Sequence, residues 1–453
     1  MPLNKTFQEF DKCSLKEFSE LLEKIILAEQ PFTEGALVIS LNGTFGSGKS
    51  TFLEMWRNEL TSNKPQIFPM ILSLNAWESD FCGHPFLSIM GAFASVLEES
   101  SSSSARPVDA KRVLEAAKSL GRVFLNVGNQ LIDNATGIDP AEAIRAGRKK
   151  ETSPPLKIDA ITWYNTQVEK LKELRSALEA YFQTGEARVL ILVDELDRCR
   201  PDYAIHYLET IKHIFDIQGL TFVLAVDPDQ LSASAKALFG QNLNFPEYYR
   251  KFVSWQIALP SLSTSEESRI VDHFLGHFMR STARKRQSSI KIHDLSSITR
   301  ETFARVGATP RQIRDALNLL GHVTHSESQG IDYRAAHCWL IMGILSTTDP
   351  PVFHALGNQT FSPEELFSAA KKFVPKGRDE IMRLLLLSYW ASPDEILHDT
   401  VAPLFGKYGF KPVDLTQLNG LFVALNKDGF FRARQESLLR AIYVALQSAR
   451  RVF

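Results

Sequence analysis

The chain is 453 residues long, and at about 100–200 residues per domain it has room for about two to four domains with a large buried core. With 44% hydrophobic and 23% charged residues, 24 Gly and 21 Pro, it is neither collagenous, nor disordered, nor a coiled coil alone. Fifty-one basic residues against 52 acidic ones leave a net charge of -1, so attraction to nucleic acid or anionic lipid has to come from a local patch.

The first residues carry charges where a signal peptide needs an unbroken apolar stretch, so export is not expected. Residues 15–30 then place Leu15, Phe18, Leu21, Leu22 and Ile25 at helical spacing, which predicts an amphipathic helix within an N-terminal helical segment, 1–34. At residue 35 the period changes. Residues 35–41 form a short apolar run, rich in β-branched side chains and ending in a glycine-rich turn, as expected of a parallel strand buried on both faces. A helix is predicted over 51–60, and further strands over 68–74, 188–193, 221–226 and 255–259, with helical patterns between most of them. Strands alternating with helices predict an α/β three-layer sandwich with a mainly parallel sheet, occupying 35–260.

Two polar breaks, at 100–107 and 148–155, bracket a helical insertion over 97–160. Within it Val113, Ala117, Leu120, Phe124, Val127 and Leu131 make one apolar helical stripe, expected to pack on its own domain or a partner helix. Beyond 259 no strand is predicted. An all-α lid is expected over 261–330 and a helical domain over 331–453. The apolar run at 338–345 is far shorter than the roughly 18 residues of a membrane span, so no transmembrane segment is expected. Cys13, Cys82, Cys199 and Cys338 are far apart and form no CxxC pair, which fits a reducing, cytoplasmic setting.

The chemistry concentrates between the first strand and the helix after it. Gly43, Thr44, Phe45, Gly46, Ser47, Gly48, Lys49 and Ser50 match GxxxxGK[ST], followed by Thr51. Glycines let backbone N–H groups curl around phosphate oxygens, and the following helix adds the positive end of its dipole. Lys49 is expected to reach the β- and γ-phosphates, and Ser50 to offer its hydroxyl to Mg²⁺. The strand at 188–193 ends in Asp194 and Glu195, which are expected to orient the Mg²⁺ water shell and to polarise an attacking water, respectively. Asp227 ends the strand at 221–226, where it either senses the γ-phosphate and positions water or caps the next helix.

These residues resemble the KAP family of P-loop NTPases, a branch of the additional-strand, catalytic-glutamate class. The resemblance rests on GTFGSGKST (43–51), LNAWES (74–79), LILVDELDRCRPDYAIHYLETIKHIFD (190–216), TFVLAVDPDQL (221–231), YYRKFVSWQIALP (248–260) and ATPRQIRDALNLL (308–320), and it covers roughly residues 15–325. The family pattern usually has two aspartates where this chain has Asp194 and Glu195. Many members carry membrane-spanning helices between the two nucleotide motifs, a place taken here by the amphipathic insertion. Bacterial members resemble phage-exclusion and other defence proteins, and eukaryotic ones are membrane-linked scaffolds.

Related ring-forming ATPases put a cation before the fifth strand that reaches a neighbour's γ-phosphate, a place held here by Arg250 and Lys251; surface solvation is the alternative. Arg198 is a second such candidate, with a local ion pair to Asp197 or Asp202 as the alternative. Arg311, with Arg314 beside it, resembles a lid arginine that contacts nucleotide. The pairs His273/His277 and His322/His325 lack a third ligand and are not taken as metal sites. The basic runs at 284–286, 148–150 and 450–451 leave contact with nucleic acid or a membrane surface open. The expected function is Mg²⁺-dependent ATP hydrolysis, with nucleotide state controlling lid closure and assembly with itself or a partner protein through the helical regions. The alternative is a nucleotide-gated scaffold with little turnover. A small-molecule kinase is disfavoured by the carboxylate pair, and a defence role rests on family analogy alone.

Overall fold

The computed structural model describes residues 5–11, 13–101, 111–121, 160–182, 188–283, 292–326, 333–376, 382, 385, 389 and 438–450. Two compact units account for most of them, one ending at Pro260 and the other running from Ser261 and taking in Gly46–Gly48.

The first unit is built on five strands: β1 (Leu37–Asn42), β2 (Met70–Asn75), β3 (Val189–Asp194), β4 (Leu220–Val226) and β5 (Trp255–Ala258). They lie in the order β2-β3-β4-β1-β5, and every pairing is parallel. β4 is buried at all seven positions and β1 and β3 at five of six each, which is why these runs read as continuously apolar rather than alternating. One strand, β4, separates the glycine-loop strand β1 from the acidic strand β3, the additional strand that the resemblance implies.

The observed strands sit slightly C-terminal to the expected ones at β1, β2 and β3. Polar Asn42, Asn75 and Asp194 still hold register, Asn42 opposite Val226 and Asn75 opposite Asp194, so backbone pairing outlasts the apolar run. Gly35 stays outside β1, where a Cβ would run into the Asp216 carboxylate that accepts the Ala36 N–H at 3.0 Å.

Helices cover this sheet with a shared apolar core. Lys49–Asn63 buries Phe52, Leu53, Met55, Trp56 and Leu60. Leu15–Glu29 is tied to that helix by buried Glu23, which accepts the Trp56 Nε1–H at 3.1 Å and pairs with Lys64 at 2.8 Å. The N-terminal segment is thus part of the nucleotide-loop unit rather than a separate piece. Pro85–Ser101 runs through the expected start of the insertion and contributes Phe86 and Phe93 to a stack on Phe215. Of the insertion's stripe, Val113, Ala117 and Leu120 are buried in this same core, while Phe124, Val127 and Leu131 lie outside the described residues. No single described helix is long and apolar enough to cross a membrane. A bent pair, Ala76–Cys82 with Pro85–Leu97, passes on length and composition, but its Phe86, Ile89 and Phe93 are buried in the core.

The second unit shows only helices among its described residues. Tyr333–Thr348 is apolar on nearly all sides and lies at the centre of one core, which joins Ile270, Ile313, Ile341, Phe353 and Leu446. That core crosses the domain boundary expected at 330, so 261–330 and 331–453 do not separate as two apolar cores.

Candidate nucleotide-binding site

The strands end on the same side of the sheet, and the glycine loop leaves β1 there. Gly43 N–H donates to Val226 O at 3.1 Å, which holds the loop against β4. Gly46 (φ 81°) and Gly48 (φ 105°) adopt backbone conformations that side chains resist, so glycine is required at both turns of the cradle. Lys49 opens the helix and is buried; its ammonium donates to Gly43 O at 2.6 Å and Thr44 O at 3.2 Å. Burial is the main influence on it and lowers its affinity for a proton, against the pull of Asp197, Asp227 and Asp194.

Next in the helix, the Ser50 hydroxyl lies close enough to the Asp194 carboxylate at the end of β3 to favour its charged form. Burial raises the Asp194 pKa. The nearby Ser50 hydroxyl and the Glu195 N–H, 2.9 Å from Asp194 Oδ1, oppose that rise. A hydroxyl and a desolvated carboxylate form a hard oxygen pair that suits Mg²⁺, and the charge of such an ion would relieve the burial of Asp194. Among the described residues the buried Ser47 Oγ has no hydrogen-bond partner, which fits a loop whose polar groups are completed by phosphate oxygens.

Glu195 takes a left-handed backbone conformation (φ 61°, ψ 24°), unusual for a residue with a long side chain. Both of its oxygens are engaged. Asn75 Nδ2 donates to Oε2 at 3.2 Å, and Arg198 pairs with Oε1 at 3.0 Å. Asn75 is itself oriented, because its Oδ1 caps Ala76–Ser79 by accepting the N–H groups of Trp77 and Glu78. Arg198 therefore pairs with Glu195, not with Asp197 or Asp202 as its sequence neighbours suggest. Its guanidinium also lies over the Phe45 ring at 4.8 Å and the Trp77 ring at 5.8 Å.

Asp227 is the N-cap of Pro228–Phe239, accepting Asp229 N–H at 3.1 Å through Oδ1. Its Oδ2 accepts Phe45 N–H at 3.1 Å, and its own N–H donates to Asp197 Oδ2 at 2.9 Å. Asp227 thus ties the glycine loop to the segment after β3. Its carboxylate is committed to backbone donors, one of them the cap bond that the sequence left open.

Arg250 and Lys251 stand apart from these groups. Arg250 is exposed at the end of Phe245–Tyr249, and Lys251 is exposed over the Tyr248 ring at 5.8 Å. Among the described residues no hydrogen bond or ion pair joins either cation to Lys49, Asp194 or Glu195. Arg311, in the first turn of Pro310–Ser326, is brought to the glycine loop: its N–H donates to Gly46 O at 3.4 Å, and its Cβ stands where a side chain on Gly46 would fall, while Arg314 pairs with Asp315 at 2.9 Å. The basic runs at 148–150 and 284–286 lie outside the described residues. Sequence reasoning missed Asn75 and Asp197 as parts of the site. An Asn at a strand end before a helix start was the available cue for Asn75.

A family model, the KAP family P-loop domain, matches residues 15–326. The chain belongs to this family. The KAP domain spans the five-stranded unit and continues through Pro310–Ser326. A curated relative, the Phage T7 exclusion protein of Escherichia coli (strain K12), is 20% identical over 303 residues, which cover 63% of this chain and 38% of that protein. The chain thus spans less than half the length of this relative. Among solved structures, the Aeropyrum pernix ORC2 protein in ADPNP–ADP complexes is 13% identical, covering 97% of this chain and 95% of that one at a TM-score of 0.35. A Thermotoga maritima RuvB mutant is 11% identical, covering 94% and 91% at a TM-score of 0.30. At such scores the fold rests on the sheet itself and on the family match.

Proposed function

We propose that this KAP protein is a Mg²⁺-dependent ATPase. The observation that carries the reading is the Lys49 ammonium held on the Gly43 and Thr44 carbonyls of the glycine loop, with Asp194, whose neighbour is Glu195, close enough to act on its charge. In this reading the loop N–H groups and Lys49 take the phosphates, the ammonium exchanging the Gly43 and Thr44 carbonyls for phosphate oxygens. Ser50 and Asp194 would hold Mg²⁺, which when bound neutralises phosphate charge and fixes its orientation. Glu195 accepts the proton of the attacking water.

Phosphate release by the purified chain tests this. Turnover in the parent that is lost in Lys49→Ala and Glu195→Gln supports the enzyme, and a parent that binds ATP without releasing phosphate refutes it. The second reading, a nucleotide-gated scaffold, is favoured by one feature: both oxygens of Glu195 are already engaged. In either reading nucleotide state acts through the helical region, by lid closure around Arg311 and assembly with a second copy or a partner, to which Arg250 and Lys251 offer exposed cations. The curated relative's name supports a place in anti-phage defence, and a cytoplasmic setting suits it. Mass measurement with and without ATP and Mg²⁺ tests assembly.

A further inference from the structure

We propose that Arg198 is a positioning residue that restrains Glu195, and that the aromatic pair Phe45 and Trp77 links this restraint to the glycine loop. The inference rests on the ATPase reading and concerns the regulation of that same site. A carboxylate acts as a base only with an oxygen turned to water, whereas Glu195 has Oε1 on Arg198 and Oε2 on Asn75. Asn75 cannot easily let go, because its amide is anchored by two cap bonds. The Arg198 bond is therefore the one that yields.

The surroundings of Arg198 suit a movable restraint. Its side chain is 28% exposed, against 16% for Glu195, so it shifts without opening the core. A guanidinium is planar and weakly hydrated, and it stacks well on aromatic faces. Here it lies over Phe45 and Trp77, both about half exposed and neither needed to fill the core. Phe45 belongs to the glycine loop, and its N–H is held by Asp227. A loop that adjusts to a triphosphate carries the Phe45 ring with it, and the ring lies against Arg198. The triphosphate also brings a second anion that competes with Glu195 for the guanidinium. That competition supplies the differential affinity which any ligand-driven shift requires.

The test uses the purified full chain with ATP and Mg²⁺. Arg198→Gln keeps a planar polar group without the charge, and it is expected to raise kcat about five-fold, the factor that one partly exposed ion pair represents. KM and the calorimetric ATP affinity should stay within about two-fold of the parent, since the restraint acts on the base rather than on the phosphates. Arg198→Lys, which keeps the charge, should return kcat toward the parent. ATP should alter Trp77 emission in the parent, a signal assigned by its loss in Trp77→Phe and diminished in Arg198→Gln.

Unchanged kcat in Arg198→Gln overturns the proposal. So does a fall of ten-fold or more, which would make Arg198 a transition-state cation. ATP binding without turnover in both parent and Arg198→Gln also overturns it, along with the ATPase reading, and leaves the scaffold. Absence of ATP binding defeats the nucleotide reading and this proposal together.

Discussion

Asp227 does two jobs with one carboxylate, and two substitutions separate them. Oδ1 caps Pro228–Phe239 through the Asp229 N–H, and Oδ2 holds the Phe45 N–H of the glycine loop. Loss of an aspartate cap costs about 1 kcal/mol. A charged hydrogen bond is worth about 1.5–3 kcal/mol, and we take about 1 kcal/mol for the Phe45 bond because the loop is partly open to water. Asp227→Ala should therefore lower unfolding free energy by about 2 kcal/mol. In Asp227→Asn the remaining oxygen still caps the helix while the new amide cannot accept from Phe45, so about 1 kcal/mol is lost. ATP affinity adds a second distinction. Both substitutions free the loop and remove a negative charge that supports the Lys49 ammonium, so both should weaken ATP binding about ten-fold. Urea unfolding gives the first pair of numbers and calorimetric ATP titration the second. If Asp227→Asn matches the parent in both, the tie from Asp227 to Phe45 contributes nothing and the argument fails. If Asn is as unstable as Ala, the division between cap and tie is wrong.

Burial, and to a lesser degree His206 with its ring 5.0 Å away, hold the His84 pKa down at about 4 from 6.5. The unfolded chain therefore takes up a proton that the folded one resists. The stability contributed by neutral His84 is complete above about pH 6.5 and is lost as pH falls toward 4, on the order of 1–2 kcal/mol for a ring partly open to solvent. Urea midpoints at pH 7 and 5 should separate less in His84→Gln than in the parent, and equal separation refutes this. Cys82 is exposed, whereas the buried Cys199 thiol is pushed up to about 12, so a maleimide at pH 7 should label Cys82 first and Cys199 only after unfolding. In the second unit, a Cβ on Gly357 would fall within the Tyr443 side chain. Gly357→Ala should cost about 1–3 kcal/mol by overpacking, and Tyr443→Ala in the same chain should restore part of it; an unchanged urea midpoint would show that the two helices give way freely.

What was legible in the sequence was local. The glycine loop, Lys49 and Ser50 are contiguous, and their chemistry follows from residue type and spacing. β3 was legible because a strand between two other strands is buried on both faces, here apolar at its first five positions, and its acidic end follows from where that run stops. The partners of Glu195 were not legible, for two separate reasons. Asn75 lies 120 residues away along the chain, and only the pairing of Asn75 with Asp194 in the sheet brings it near. Arg198 was close enough in sequence, but its partner depends on the kind of turn. Leu196–Arg198 is a 3₁₀ turn, in which residues three apart stand one above the other, so Arg198 meets Glu195 instead of its immediate neighbour Asp197. Asp197, directed elsewhere, accepts the Asp227 N–H.

The second unit illustrates the opposite case, a sequence signal that was present and admitted another meaning. The run at 338–345 is too short for a membrane span, and a run apolar on all sides that does not cross a membrane has to lie inside a core. That requirement already places Tyr333–Thr348 at the centre of a domain. A boundary at 330 would leave the Ile270, Ile313 and Leu317 side chains without the residues that bury them, since Trp339, Ile341 and Leu345 belong to the same cluster. The family match ends at 326, before this central helix begins. The helices after 326 therefore do more than extend the KAP domain: the apolar faces of Thr264–Ala283 and Pro310–Ser326 are completed by them, and a chain cut at 326 exposes those faces to water.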